Sequence, residues 1–143
     1  MQLVEDVQSN AEGLKTKLTF SDVVIKKIVG VIISDVEGIL GLSGNLFTDF
    51  ADRFRDNEDI TKGIDVEVGT KQVAVDVSVI CEYDVTVSNV FDQTVERVKE
   101  AIHHMTGLDL IEFNMNVDDV MTKEQYLEKY RGKDSEENKD NNE

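Results

Sequence analysis

The glycines have the spacing of a ligand-binding loop. Gly38, Gly41 and Gly44 form a G-x-x-G-x-x-G pattern, and glycine loops of this kind approach phosphate groups or clamp the RNA backbone in KH-type domains. Both uses gain affinity from nearby Lys or Arg, yet residues 34–52 contain neither and include several acids. We therefore interpret the glycines as a helix end followed by tight turns. A KH-like RNA-binding module stays the alternative function.

The two histidines and the single cysteine are the other groups that metal or nucleophilic chemistry uses. On a helix, Glu96, Glu100 and His104 share one face. His103 points about 100° away from His104, so the adjacent histidines cannot easily hold one ion. Cys81 occupies an apolar position of a predicted strand and is followed by acids, which disfavour a thiolate. We predict solvated histidines and a buried cysteine, with no catalytic residue, no metal site and no cofactor.

A cluster of aromatic residues is the candidate binding surface. Phe47, Phe50 and Phe54 lie at i, i+3 and i+7 within an acidic insert, residues 45–60. This spacing is typical of one face of a short amphipathic helix. The rings either complete the core of the protein or form an exposed surface that binds a partner. We keep these three residues as the candidate partner-binding site.

Two helices are predicted, one directly before the glycines and one that carries both histidines. The first spans about residues 21–37, and Gly38 follows it at the usual position of a C-terminal glycine. This helix is apolar over a wide arc and must be covered on more than one side. The second begins near Ser88 or Asn89 and ends at Gly107. Its predicted apolar face consists of Phe91, Val95, Val98, Ile102 and Met105.

Alternating apolar and polar residues predict the strands. Residues 64–68 and 73–83 alternate on either side of a Gly69-Thr70-Lys71 turn, which is typical of an antiparallel hairpin. A short strand is predicted between the glycines near residue 40. The last strand has Ile111, Phe113, Met115 and Val117 on its apolar side.

The element order is helix, strand, strand, strand, helix, strand, which predicts an α+β fold. We expect a small two-layer domain in which a mostly antiparallel sheet of three or four strands has both helices on one face. The chain then divides into three parts. Residues 1–18 form a loose N-terminal segment, and residues 19–121 form a single domain that contains the insert. Residues 122–143 form a short helix and a disordered acidic tail.

The charge balance excludes several classes of function. The 143 residues include 30 Asp or Glu and 15 Lys or Arg, for a formal net charge of −15. Such a surface repels nucleic-acid phosphate and anionic lipid. No apolar run approaches the ~20 residues that a spanning helix needs, and the first residues lack the basic start of a signal peptide. We predict a cytoplasmic protein that binds no nucleic acid and does not insert into membranes itself.

Several stretches, taken in order, are similar to one bacterial family. They are Ser21-Asp-Val-Val24, Val36-Glu-Gly-Ile-Leu-Gly41, Thr61-Lys-Gly-Ile-Asp-Val-Glu-Val-Gly69, Val73-Ala-Val-Asp-Val77, Glu82-Tyr83, Met105-Thr-Gly-Leu108, Phe113-Asn-Met-Asn-Val117 and Thr122-Lys-Glu-Gln-Tyr126. With these motifs the chain resembles the alkaline shock protein family of Gram-positive bacteria, also called glucose-starvation general stress or envelope stress response proteins. The insert at 45–60 resembles the general stress branch.

The resemblance implies a protein that is not an enzyme and that serves stress response and cell-envelope homeostasis as an interaction or scaffold module. It also implies protein partners, among them a membrane-anchored relative that holds the protein at the inner face of the membrane, and self-association into a homo-oligomer. Three features depart from the family pattern, one of which is that the loop before the second helix lacks a frequent Pro. Asp84 replaces a frequent Gly, and Asn116 replaces a frequent His. Because Asp tolerates a left-handed backbone, we expect the turn at Asp84 to be retained.

Overall fold

The computed structural model describes residues 8–9, 13–43 and 61–129. The order of elements from α1 to β6 is the predicted one, and the small α+β fold is confirmed. A short pair of strands precedes it, in which Gln8 pairs with Thr16 and Ser9 with Lys15. The elements are β1 (Gln8–Ser9), β2 (Lys15–Thr16), α1 (Asp22–Ser34), β3 (Ile39–Leu42), β4 (Ile64–Val68), β5 (Gln72–Glu82), α2 (Val87–Thr106), β6 (Asp109–Met121) and α3 (123–129).

Strand β5 is the centre of the main sheet. Strand β6 pairs with it in parallel along its full length, whereas β3 and β4 pair with it antiparallel. The Ser78 N–H donates to the Gly63 carbonyl at 3.0 Å, and the Ser78 carbonyl accepts from the Ser43 N–H at 2.8 Å. Because both groups of one strand residue point to the same side, β3 and β4 lie end to end along one edge of β5. Strand β6 occupies the other edge.

Both helices cover the same face of the sheet, as predicted. Helix α1 packs against α2, β3 and β4, and α2 packs against β6. The β5 residues that point toward the helices are fully or almost fully buried because helices cover them from above and neighbouring strands flank them. They are Val73, Val75, Val77, Val79 and Cys81. This alternation puts the main hydrophobic core between the sheet and the two helices.

The other face of the sheet carries a second, smaller core at one end. Leu40, Ile80, Met121 and Tyr126 are all buried there and contact one another. Tyr126 belongs to α3, whose first turn is capped by Thr122, since the Thr122 hydroxyl accepts from the Gln125 N–H at 3.0 Å. The short C-terminal helix therefore packs back on the sheet rather than extending away from it.

Helix α1 is shorter than the sequence predicts. It ends at Ser34, and the next N–H groups form tighter bonds, from Asp35 to Ile32 and from Val36 to Ile33. Gly38, at a φ of 101°, then turns the chain into β3. Asp84 has a φ of 79°, so the left-handed turn expected there is retained.

The apolar faces of α2 and β6 are also displaced from prediction at their ends. In α2 the buried residues include Val90 and Thr94. The polar Thr94 side chain can be buried because its hydroxyl donates to the Val90 carbonyl at 2.7 Å and needs no other partner. Met105, predicted to face the core, is 63% exposed. Ile111 is 59% exposed because the register with β5 shifts beside it, and the neighbouring Leu110 contacts the core instead.

Candidate functional site

The predicted partner-binding residues lie outside the described part of the chain. Phe47, Phe50 and Phe54 all fall within residues 44–60, which the structure does not describe. The residues on either side of that gap are described, and Ser43 and Gly63 both bond to β5. The aromatic stripe therefore stays a prediction from sequence.

The described glycines do not form an exposed loop. Gly38 closes the turn after α1, and its carbonyl accepts from the Glu82 N–H at 2.8 Å. Gly41 lies inside β3 and is buried. Since Gly41 sits within a paired strand, it cannot offer a free N–H cradle to a phosphate. The geometry of these two residues agrees with the interpretation as turn and packing glycines, while Gly44 lies outside the described residues.

The histidines lie at the exposed C-terminal end of α2. His103 Nδ1 is 3.4 Å from Asp109 Oδ1, and both side chains are largely exposed. His104 is exposed as well. Across the described ranges, no group of three or more His, Cys, Asp or Glu side chains is placed to hold a metal ion. At this helix end, a protonated imidazole would interact favourably with the α2 dipole.

Cys81 is part of the core and is fully buried. Burial raises the pKa of the Cys81 thiol above its ordinary value, because the apolar surroundings disfavour the thiolate. A neutral, inaccessible thiol is a poor nucleophile. The structure thus gives Cys81 a packing role on β5.

A shallow groove lies where α1 ends and α2 begins. Its cavity volume is about 370 Å³. Two carboxylates, Glu37 and Glu82, lie at this groove, and its lining contains no Cys, His, Lys or Arg. The groove therefore offers no thiol, no imidazole base and no cation for a phosphate. The lining residues are Glu37, Gly38, Glu82, Val85, Thr86, Asn89, Val90 and Gln93.

The face of the sheet away from α1 and α2 is acidic. The strands β3 to β6 contain no Lys or Arg. Asp76 lies between Asp65 of β4 and Asn114 of β6. The Asn114 amide donates to Asp76 at 2.7 Å and to Glu112 at 2.8 Å, which bridges two carboxylates. A surface of this sign repels RNA, so the geometry does not favour the RNA-binding alternative.

The outer edge of β6 is the longest strand edge without a neighbouring strand among the described residues. The strand has 13 residues, or about 43 Å of backbone, and among the described strands it pairs only with β5. Phe113 lies above it against Phe91 of α2, with ring centroids 6.1 Å apart. The sequence pattern predicts the strand but not its edge position. The available signal was the helix between β5 and β6, because a helical crossover favours a parallel neighbour.

The chain is similar to one protein family and to several individual proteins. Residues 10–122 match the alkaline shock protein 23 family, described by a cell envelope-related function. The chain is 42% identical over 114 residues to the stress response regulator gls24 homolog of Streptococcus pyogenes (serotypes M3 and M1 among others), an alignment that covers 80% of this chain and 64% of the relative. The chain thus spans less than two thirds of the length of these relatives.

A more distant relative is the uncharacterized protein YqhY of Bacillus subtilis, 26% identical over 101 residues, covering 71% of this chain and 74% of that protein. No solved structure matches the chain. None of the described helices is long and apolar enough to cross a membrane. The family match extends over all of the residues that form α1, the main sheet and α2. The chain therefore belongs to the alkaline shock protein 23 family.

Proposed function

We propose that this protein acts in the general and envelope stress response as a non-catalytic interaction module. It binds copies of itself and other proteins, and a membrane-anchored partner holds it at the inner face of the membrane. The family's envelope-related function and the stress-regulator relatives support this role. Phe47, Phe50 and Phe54 remain the predicted stripe for a partner.

The observation that carries the proposal is the long outer edge of β6. Its 13 residues include no Pro and no Lys, two devices by which proteins prevent an edge strand from pairing with another chain, and its acids and two bulges lie outside residues 113–117. Main-chain hydrogen bonds along such an edge provide affinity, and the side chains that alternate along it provide specificity. An interaction module needs a surface of this kind, whereas an enzyme needs a cleft with convergent reactive groups.

The net charge supports recruitment through a partner rather than direct binding to lipid. With a net charge of −15, the protein gains nothing from anionic lipid, where Lys and Arg are the residues that help. We therefore expect the purified chain to stay in solution when vesicles of phosphatidylglycerol and cardiolipin are sedimented. In cells, we expect it in the envelope fraction, and salt-washed, protease-treated membranes should no longer bind it.

The experiment that tests the function compares a Gram-positive strain that carries the gene with a deletion strain and a complemented strain. Each is exposed to an alkaline shift, glucose starvation and a cell-wall antibiotic, and survival and envelope fractionation are measured together. We expect the deletion strain to survive at least one of these stresses less well, and complementation to restore survival. Equal survival of all strains, with the protein absent from the envelope fraction, would contradict the proposal.

A further inference from the structure

We propose that β6 pairs antiparallel with β6 of a second copy of this chain, around a two-fold axis at Asn114. The two four-stranded sheets then form one continuous sheet, with the four long helices on one side. This pairing assigns the self-association of the proposed function to one surface and rests on that proposed function.

The middle of β6 is suited to pairing. Residues 113–117 carry no charge, in a chain in which 31% of residues are charged. Acids flank this stretch on both sides, at Glu112 and at Asp118. The outward N–H and C=O groups of an edge strand need either water or another strand as partners. A second strand can therefore pair with the uncharged residues 113–117 without charge repulsion, whereas the acids on both sides disfavour pairing beyond them.

The bulges of β6 define how long the regular stretch is. The register with β5 shifts beside Ile111 and again beside Asp118, so residues 112–117 alternate without interruption. On this stretch Phe113, Met115 and Val117 point toward the helices and contact the core, whereas Asn114 and Asn116 are exposed. An antiparallel pairing must place inward residues opposite inward residues, because a shift of one residue reverses every side chain.

Two registers satisfy that condition near the centre of the stretch. With the axis at Asn114, Phe113 lies opposite Met115 of the second copy, and Glu112 lies opposite Asn116. With the axis at Met115, Glu112 comes opposite Asp118. Directly opposed like charges destabilise a strand pair, whereas an aromatic ring beside a thioether is favourable. The first register is therefore preferred.

A second copy is the occupant because this edge is complementary to itself. A two-fold axis presents the same surface on both sides, so one uncharged stretch meets an identical uncharged stretch. The half-buried inward side chains, Phe113 and Met115 among them, gain a neighbour on their open side. The remaining acids of the two sheets repel each other across the new interface, so association strengthens as salt rises.

Disulfide trapping of the full chain tests the pairing and its register. The Asn114→Cys substitution puts two thiols opposite each other with Cβ atoms about 4.5–5.5 Å apart, within reach of a disulfide after a small adjustment. Asn116→Cys is the matched control, since its thiols would lie about 13 Å apart in the same register. The native Cys81 is 0% exposed and does not compete. Circular dichroism of both variants checks that they are folded.

We expect mild oxidation to convert most of the Asn114→Cys protein to a covalent dimer on a non-reducing gel, and little of Asn116→Cys. A mixture of Glu112→Cys and Asn116→Cys proteins should form the mixed dimer. Sedimentation velocity of the unmodified chain should show a dimer whose dissociation constant falls between 50 mM and 500 mM NaCl.

Three results would overturn the pairing. They are a monomer at every concentration up to the millimolar range, a dimer that Asn114→Cys does not trap, and preferential trapping between Asn114→Cys and Asn116→Cys, which would place the axis at Met115. The two proposals fail separately. If the deletion strain survives stress less well and the protein lies in the envelope fraction, but no dimer is trapped, the β6 interface alone is refuted. If a dimer is trapped but deletion has no stress phenotype, the proposed function alone is refuted.

Discussion

Replacing Gly38 with alanine tests how closely the turn after α1 packs on α2. Gly38 has a φ of 101°, and a Cβ built there would lie 2.8 Å from Val90 Cγ2. An L-residue with positive φ costs about 1–2 kcal/mol. Contact at 2.8 Å is far inside the carbon–carbon optimum, and overpacking of a buried site costs about 1–3 kcal/mol more. We expect Gly38→Ala to lower the free energy of unfolding by about 2–5 kcal/mol.

The matched control is Gly107→Ala. Gly107 has a φ of 79°, and a Cβ added at this position would meet nothing within 4 Å, so this substitution carries the backbone strain without the clash. It should cost about 1–2 kcal/mol. Both values are measured by urea unfolding with far-UV circular dichroism, because the chain contains no Trp for fluorescence. A double-mutant cycle with Val90→Ala then isolates the contact between residues 38 and 90.

If the contact is as tight as the distance indicates, Val90→Ala provides the space that the new methyl group needs. The double variant should then be more stable than the sum of the single effects predicts, by about 1–3 kcal/mol. Equal losses for Gly38→Ala and Gly107→Ala, or strict additivity with Val90→Ala, would refute the reasoning. The turn would then tolerate a side chain through a small movement of α2.

The remaining predictions concern packing, a helix link and the aromatic stripe. The Cys81 thiol, whose pKa burial raises, should react with Ellman's reagent only after urea unfolds the chain, and rapid reaction of the folded protein would contradict its burial. Arg97→Met should cost about 0.5–1 kcal/mol in urea unfolding, and less in 1 M NaCl, because the guanidinium donates to the Asp35 carbonyl at 3.0 Å and carboxylate at 2.8 Å on a partly exposed surface. Replacing Phe50 and Phe54 with Ser should reduce the capture of partner proteins from the envelope fraction in a pull-down, while self-association in light scattering and the circular dichroism spectrum stay unchanged. An unfolded variant would show that these rings belong to the core.

Local patterns predicted the elements because each element has a strong periodicity or a clear end signal. The alternation in β4 and β5 placed both strands and their turn correctly, and Gly107 marked the end of α2 with the expected left-handed backbone. The end of α1 was predicted three residues too late, since Glu37 fits a helix as well as it fits the tighter turn that follows Ser34.

Tertiary features were harder to predict because no local pattern encodes them. The bulge beside Ile111 places Ile111 at the surface and Leu110 against the core. A strict alternation of apolar and polar residues cannot predict this exchange. Met105 lies on the helical face that periodicity assigns to the core, but it comes near the end of α2, where the core no longer reaches it. The β6 edge depends on which strands are neighbours, and that is decided by the parallel crossover through α2.

The shared hydrogen bonding of Ser78 has a consequence for how this fold accommodates change. Because Ser43 and Gly63 bond to the same β5 residue, the chain leaves the sheet and returns to it at almost the same point. Closing a loop between two such adjacent ends depends only weakly on loop length. A change in the length of the connection between Ser43 and Gly63 therefore costs little closure entropy, and this point is suited to testing the insertion of a fluorescent tag or a binding peptide. Ser43 and Gly63 therefore mark a site at which inserted sequence would enter and leave the fold beside one residue of the central strand.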